Sequence, residues 1–233
     1  MPPQPCSASD LAAWLEQTVE PALQPQLPIV DGHFHFWDRT DASLLFGHDE
    51  TAARWWQGEH NEGGLLERYL AAELQADIAR SGHRVLATVF VDCGFNYRPA
   101  GDGPAAFRSV GETESVEQLL QQGPPAQAAA GLAAGVISSL APCDFDDPAL
   151  PAVLAAHAAA SPRFRGVRGS VPAGLGDQHT AWLDGFAVLA GRELVFECNG
   201  PELSGPGRHA DGLDHDELMQ EQHALLRHCC APR

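Results

Sequence analysis

The feature that most restricts the fold of this chain is a regular alternation of apolar, strand-like runs with helical segments. Strand-like runs are predicted at five places, residues 28–38, 84–93, 135–140, 164–171 and 193–198. Helical periodicity or capping signals separate them, at residues 66–81, 113–122, 147–160 and 180–189. Because this rhythm is typical of parallel strands joined by right-handed helical crossovers, we predict an α/β fold with a parallel sheet.

Two architectures satisfy this rhythm, an open doubly wound sheet and a (β/α)8 barrel. A barrel needs eight strands in about 250 residues. This chain of 233 residues shows five strands, or six if residues 227–231 are counted. We therefore expect an incomplete (β/α)8 TIM-barrel-like fold with five to six parallel strands. An open sheet that is complete in five strands remains the alternative.

The charge composition excludes several classes of partner. The chain carries 14 basic residues, all of them arginine, against 31 acidic residues, a formal net charge of −17. Nucleic acids and anionic membranes are recognised by clustered positive charge, so we expect neither as a partner. The absence of lysine also excludes Schiff-base chemistry and a phosphate-binding loop lysine.

The N-terminus and the cysteines indicate the compartment. Residues 1–27 are rich in proline and are predicted to form an extended arm with one helical turn near residues 11–19. The arm lacks the basic residues of a secretory or transit signal, and no apolar run is long enough to span a membrane. The six cysteines contain no CxxC pair. We therefore expect a soluble, cytoplasmic protein with reduced thiols.

The most informative motif is His33-Phe-His35, at the end of the first predicted strand. Side chains at positions i and i+2 of a strand point to the same face, so both imidazoles should project together. Sites in parallel α/β folds form at the carboxyl ends of the strands. The pair is therefore predicted to hold one divalent, zinc-type metal, with further ligands from other strands. A chance HxH pair in a chain with 11 histidines is the alternative.

Three other residues are candidates for catalytic roles. Arg168 ends the fourth predicted strand, where a guanidinium suits capture of a substrate carboxylate, although a salt bridge would explain it equally well. Asp92 ends the second strand and is a possible site carboxylate, whereas its neighbour Cys93 is expected to pack. Glu112 opens a helix beside Glu114, where the helix dipole alone favours carboxylates.

Several segments of the chain resemble the amidohydrolase-related family (the amidohydrolase 2 group). The resemblance covers roughly residues 28–200 and is carried, in order, by residues 28–38, 69–83, 87–93, 97–99, 103–104, 110–114, 131–137 and 163–168. It implies a (β/α)8 hydrolase acting on C–O or C–N bonds of a small lactone, amide or carboxylated substrate, or a decarboxylase. Some branches bind a zinc-type metal, and the lactonase-like branches work without one, so both modes stay open.

The resemblance ends after the fifth strand. Where relatives supply a histidine beyond that strand, this chain has Asn199, Gly200 and Pro201. His228 resembles a later turn of the family but follows a helix directly, and the last strand with its catalytic aspartate is absent. We thus divide the chain into the arm (1–27) and a truncated barrel domain (28–233) whose segment 201–233 diverges. The alternative function is a catalytically inactive relative that serves as a binding or interaction module, with a homo-oligomer or a partner covering an open sheet edge.

Overall fold

The computed structural model describes residues 20–38, 68–122, 131–171 and 180–201. Several predictions fall outside the described residues. They concern the helical turn at 11–19, the strand counted as a sixth at 227–231, and His228 with the rest of the segment after Pro201.

Seven strands, four α-helices and one short 3-10 helix (Ala105–Phe107) make up the described fold. The strands are β1 (Pro28–Phe34), β2 (Trp37–Asp38), β3 (Arg68–Tyr69), β4 (Arg84–Val91), β5 (Gly135–Ser139), β6 (Phe164–Val171) and β7 (Val195–Pro201). The helices are α1 (Ala71–Arg80), α2 (Val110–Gln122), α3 (Leu150–Ala160) and α4 (Thr180–Gly191). Five strands form one parallel sheet in the order β1-β4-β5-β6-β7, and β2 pairs with β3 in an antiparallel ribbon. The predicted α/β class and parallel sheet are confirmed.

The five-stranded sheet is strongly curled. Its edge strands β1 and β7 lie four strand spacings apart, about 19 Å in a flat sheet. Yet Nδ1 of His33 on β1 is 3.8 Å from Oε1 of Glu197 on β7. Side chains of the first and fifth strands of an eight-stranded barrel face each other across the barrel in this way. The described sheet is therefore a half-barrel, as expected for an incomplete (β/α)8 fold.

Apolar side chains hold the helices against the convex face of the sheet. Phe90 of β4 and Val136 of β5 are fully buried against Val116 of α2. A second cluster joins β6 and β7 to α3 and α4, and includes a group of stacked or edge-on aromatic rings: Phe145, Trp182, Phe186 and Phe196. This packing fixes the curvature, and therefore the side chains that meet at the mouth of the half-barrel.

Three helix starts differ from prediction. Helix α1 begins at Ala71 rather than near residue 66, because Arg68 and Tyr69 form strand β3 and pair with β2 instead. Helix α2 begins at Val110, three residues before the predicted start, and α3 begins at Leu150 rather than directly after Asp147. The Asp147 side chain accepts a hydrogen bond from the Ala149 N–H at 2.7 Å, and its carbonyl accepts one from Leu150 at 3.0 Å. Asp147 therefore stabilises the turn before the helix instead of capping the helix itself. No described helix is long and apolar enough to cross a membrane.

A buried polar group lies between α2 and α3. His157 is fully buried, with Nδ1 2.8 Å from Oγ1 of Thr113 and Nε2 3.4 Å from Oγ of Ser109. The Thr113 hydroxyl also lies 2.7 Å from Oγ of Ser138. Burial lowers the pKa of His157 from 6.5 to about 4. The ring is therefore neutral at pH 7 and serves the packing of the two helices.

Acidification should destabilise the protein through His157. The unfolded histidine takes a proton near pH 6.5, but the folded one does so only near pH 4, so stability falls as the pH drops between these values. The loss is about 3 kcal/mol when complete. Urea denaturation at several pH values should show a shallower fall for His157→Gln than for the wild type. Identical pH dependence in the two proteins would contradict this account.

Candidate functional site

His33 of β1 and His35, directly after this strand, come together at the carboxyl end of the sheet. Nε2 of His33 lies 3.2 Å from Nε2 of His35, and the rings meet nearly edge-on. Phe34 between them and Phe36 after them are buried in the core on the other face. The Asp31 carboxylate accepts a hydrogen bond from the His33 N–H at 3.1 Å and so supports the backbone at the irregular end of β1. The alternation of core and site residues thus aims both imidazoles into the half-barrel.

His35 is fixed in one tautomer by the backbone. Its Nδ1 lies 2.7 Å from the carbonyl oxygen of Val91, and a carbonyl can only accept, so Nδ1 carries the proton. The lone pair of Nε2 is therefore directed toward His33. Burial lowers the pKa of His35, aided by His33 and Arg168 and opposed by the Val91 hydrogen bond. A neutral imidazole with its Nε2 lone pair exposed to the site is the form that accepts a proton or binds a metal.

A glutamate from the opposite strand completes this cluster. Glu197 of β7 reaches His33 with one carboxylate oxygen at 3.8 Å, and its other oxygen lies 2.8 Å from Nε of Arg168. The ion pair with Arg168 is close, but the N–H does not point straight at the oxygen. The Arg168 guanidinium also donates from Nη1 to the main-chain oxygen of Asp92 at 2.8 Å. Arg168 therefore connects β6 to β7 and to the end of β4.

The predicted carboxylate Asp92 lines a cavity next to this cluster. The cavity has a volume of about 350 Å³, and its polar lining includes Asp92, Ser139, Asp144, Arg168 and Ser170. One Asp92 oxygen accepts hydrogen bonds from the Tyr97 hydroxyl at 2.6 Å and from the Gly94 N–H at 3.4 Å. This space is adjacent to charged groups and large enough for a small molecule.

The histidine pair matches two ligands of a zinc-type ion. Two nitrogens bound to one tetrahedral zinc at about 2.05 Å each lie about 3.3 Å apart, and the observed separation is 3.2 Å. The Val91 carbonyl supplies the outer hydrogen bond that orients a ligating histidine. Among residues 20–38, 68–122, 131–171 and 180–201, however, no group of three or more His, Cys, Asp or Glu side chains could hold a metal ion. The described residues thus offer two of the ligands that zinc needs.

The other candidate residues have clear positions. Arg168 forms a salt bridge, the alternative interpretation in the sequence analysis, and its partner is Glu197. Cys93 packs as expected, and its thiol donates to the Phe36 carbonyl at 3.2 Å. Glu112 lies fully buried next to Asp92. Glu114 is exposed on the same helix and pairs with Arg98.

Sequence reasoning missed Glu197. It stands in the run Val195-Phe-Glu-Cys198, which was interpreted only as part of the fifth strand. A signal was present, because a charged side chain inside such a strand needs a partner of opposite charge. Its partners come from β1 and β6, and only the curvature of the sheet brings them within reach.

Comparisons with known proteins add no identification. No protein-family model, no curated protein and no solved structure matches this chain. The class that the fold itself defines is an α/β half-barrel with a polar site at the carboxyl ends of its strands.

Proposed function

We propose that this protein is a hydrolase of the amidohydrolase-related type, which cleaves a C–O or C–N bond of a small lactone, amide or carboxylated substrate. The observation that carries the proposal is the convergence of His33, His35 and Glu197 at the carboxyl end of the half-barrel. The 350 Å³ cavity beside Asp92 has room for a small substrate. The segments that resemble the family supply the reaction class.

The histidines have a defined task in this proposal. The Val91 carbonyl keeps a proton on Nδ1 of His35, so its Nε2 faces the site as an acceptor. His33 and His35 would hold a divalent metal, which when bound polarises a carbonyl and lowers the pKa of its water. His33 would then carry its proton on Nδ1, on the side where Glu197 lies at 3.8 Å. In a metal-independent enzyme the same His35 nitrogen accepts a proton from water.

Arg168 and Asp92 have supporting tasks. Arg168 forms an ion pair with Glu197 and a hydrogen bond to the main chain of Asp92. It therefore fixes the positions of β7 and of the end of β4 relative to β6. Its guanidinium also borders the cavity, where a substrate carbonyl or carboxylate can approach it. The Asp92 carboxylate, oriented by Tyr97, lines this space together with Asp144.

The experiment compares His35→Ala with His83→Ala on a panel of lactones and amides. His83 is an exposed histidine before β4, at the opposite end of the sheet, and serves as the matched control. Loss of a positioned acceptor or ligand should reduce kcat/KM by about 10²-fold or more in His35→Ala, whereas His83→Ala should retain wild-type rates. Binding of Zn²⁺, measured by calorimetry, separates the metal-dependent mode from the metal-independent one. Equal rates for both variants would refute the proposal.

The second candidate function is a catalytically inactive binding module. It is favoured by exposed apolar side chains on the edge strands, since Val30 of β1 is 62% exposed and Val195 of β7 is 55% exposed. Apolar residues on open edges are typical of surfaces that a second copy or a partner covers. No turnover on the panel, together with self-association in light scattering, would favour this candidate over the hydrolase.

A further inference from the structure

Glu112 is a fully buried acid that the proposed reaction does not use. It lies in the first turn of α2 with no exposed surface. Its Oε1 accepts two main-chain hydrogen bonds, from the N–H of Cys93 at 3.1 Å and from the N–H of Phe95 at 2.7 Å. These donors belong to the loop that follows β4. One carboxyl oxygen therefore holds the backbone directly after Asp92.

The second oxygen of Glu112 has no donor. Within the described part of the chain, Oε2 is buried and no N–H or O–H group points at it. Its charged neighbour is instead another carboxyl group, that of Asp92. Two ionised carboxylates side by side in the protein interior repel each other strongly. The Arg168 guanidinium near this pair donates to the main-chain oxygen of Asp92 and forms an ion pair with Glu197. A proton on Oε2 removes the repulsion and turns the orphan acceptor into a donor directed at Asp92.

The groups around the Glu112–Asp92 pair indicate that Glu112 carries the proton. Burial and the Asp92 charge raise the pKa of Glu112 well above its ordinary value. The Cys93 thiol and the Tyr97 hydroxyl, which also face this site, are neutral because burial raises both of their pKa values. From α3 comes His157, which is neutral as well, and the β5 side chains on this side are serines. Asp92, by contrast, borders the cavity and accepts hydrogen bonds from the Tyr97 hydroxyl and the Gly94 N–H.

We propose that Glu112 is a positioning residue that remains protonated at neutral pH and donates a hydrogen bond from Oε2 to the Asp92 carboxylate. The buried pair then carries one negative charge, which resides on the oxygens that face the cavity. In this arrangement the Asp92 carboxylate accepts hydrogen bonds from both Glu112 and Tyr97. The N–H groups of Cys93 and Phe95 hold the Glu112 side chain in position. Only the use of Asp92 in catalysis rests on the proposed function, because the shared proton is a property of the folded chain.

The first test observes the proton directly. Infrared spectra of the folded protein at neutral pH should contain the C=O stretch of a protonated carboxyl group. The band should disappear in Glu112→Gln and persist in Glu114→Gln, the matched control two residues along the same helix, whose carboxylate is exposed and paired with Arg98. Absence of the band in the wild type, or its persistence in Glu112→Gln, would overturn the proposal.

The second test uses stability and needs no turnover. The folded state retains a proton that the unfolded Glu112 loses near its ordinary pKa, so the wild type should lose stability as the pH rises above that value. The unfolding constant of the wild type relative to Glu112→Gln should increase about tenfold per pH unit between pH 5 and the pH at which Glu112 ionises in the fold. Glutamine keeps the acceptor for both amides and a donor for Asp92, and it should therefore fold.

The outcomes separate this proposal from the hydrolase proposal. A protonated Glu112 without turnover on any substrate leaves the positioning role standing and removes the hydrolase. Turnover that depends on His35, combined with the same pH dependence of stability in wild type and Glu112→Gln, keeps the hydrolase and refutes the role of Glu112. If Glu112→Gln does not fold, the infrared band of the wild type decides whether Glu112 is protonated. Persistence of this band above pH 7 supports the proposal, and its absence refutes it.

Discussion

Gly185→Ala should lower the free energy of unfolding by about 3 kcal/mol, the upper range for forcing extra atoms into a packed interior. In an exposed helix the same change is favourable by about 1 kcal/mol, because alanine is the better helix former. The sign reverses here because a Cβ on Gly185 of α4 would overlap the carbonyl oxygen of Phe145 and come within 3.2 Å of Leu150. A backbone oxygen cannot move aside without displacing the loop that follows β5. Urea denaturation measures the loss.

Gly191→Ala is the matched control for this prediction. Gly191 ends the same helix, and a Cβ there would meet nothing within 4 Å. Its stability should stay within about 0.5 kcal/mol of the wild type. Equal stabilities of the two variants would mean that α4 does not lie against the Phe145 loop. The result matters for the site because that loop contributes Asp144 and Phe145 to the cavity wall.

Phe36→Ala should cost about 4 kcal/mol, the usual range for removing a buried aromatic ring. Phe36 has no exposed surface and packs against Phe34 and Phe90, with ring centroids 4.9 and 5.7 Å away. The ring also anchors the strand end that carries His35, so its loss should release the His35 hydrogen bond to Val91. Chemical denaturation gives the stability, and nitrogen-15 NMR of the imidazole gives the tautomer.

Leu23→Ala controls for the loss of an apolar side chain as such. Leu23 is almost completely exposed, and its truncation should leave both stability and the His35 tautomer unchanged. If Phe36→Ala retained a single His35 tautomer with Nδ1 protonated, the packing of Phe36 would not be what orients the histidine.

The elements of this fold were predictable wherever one strand or helix carried its own signal. The prediction for β6, residues 164–171, coincides with the observed strand, and β5 differs by one residue. Strand β7 begins and ends later than predicted, at Val195 and Pro201. Helix α3 was predicted to begin at residue 147, but Asp147 forms its hydrogen bonds within the turn that precedes the helix, which begins at Leu150.

The candidate site was predictable only in part. The i, i+2 spacing placed His33 and His35 on one face, and they lie in contact. The partner of Arg168 was unknown, since Glu197 follows it by 29 positions on another strand and no periodicity links the two. Glu112 was interpreted through the helix dipole, a reasonable explanation for any acid in a first turn. Its complete burial next to Asp92 depends on how α2 packs on β4 and β5.

The amino-acid sequence by itself determined the strands, the helices, their parallel order and the joint direction of the two histidines. These properties follow from side-chain periodicity and backbone preferences, which act over a few neighbouring residues. Only the tertiary structure decided that His33 meets Glu197 and that Asp92 lies against Glu112. These pairs join distant positions of the chain, and they form because packing of the helices curls the sheet until its two edges face each other.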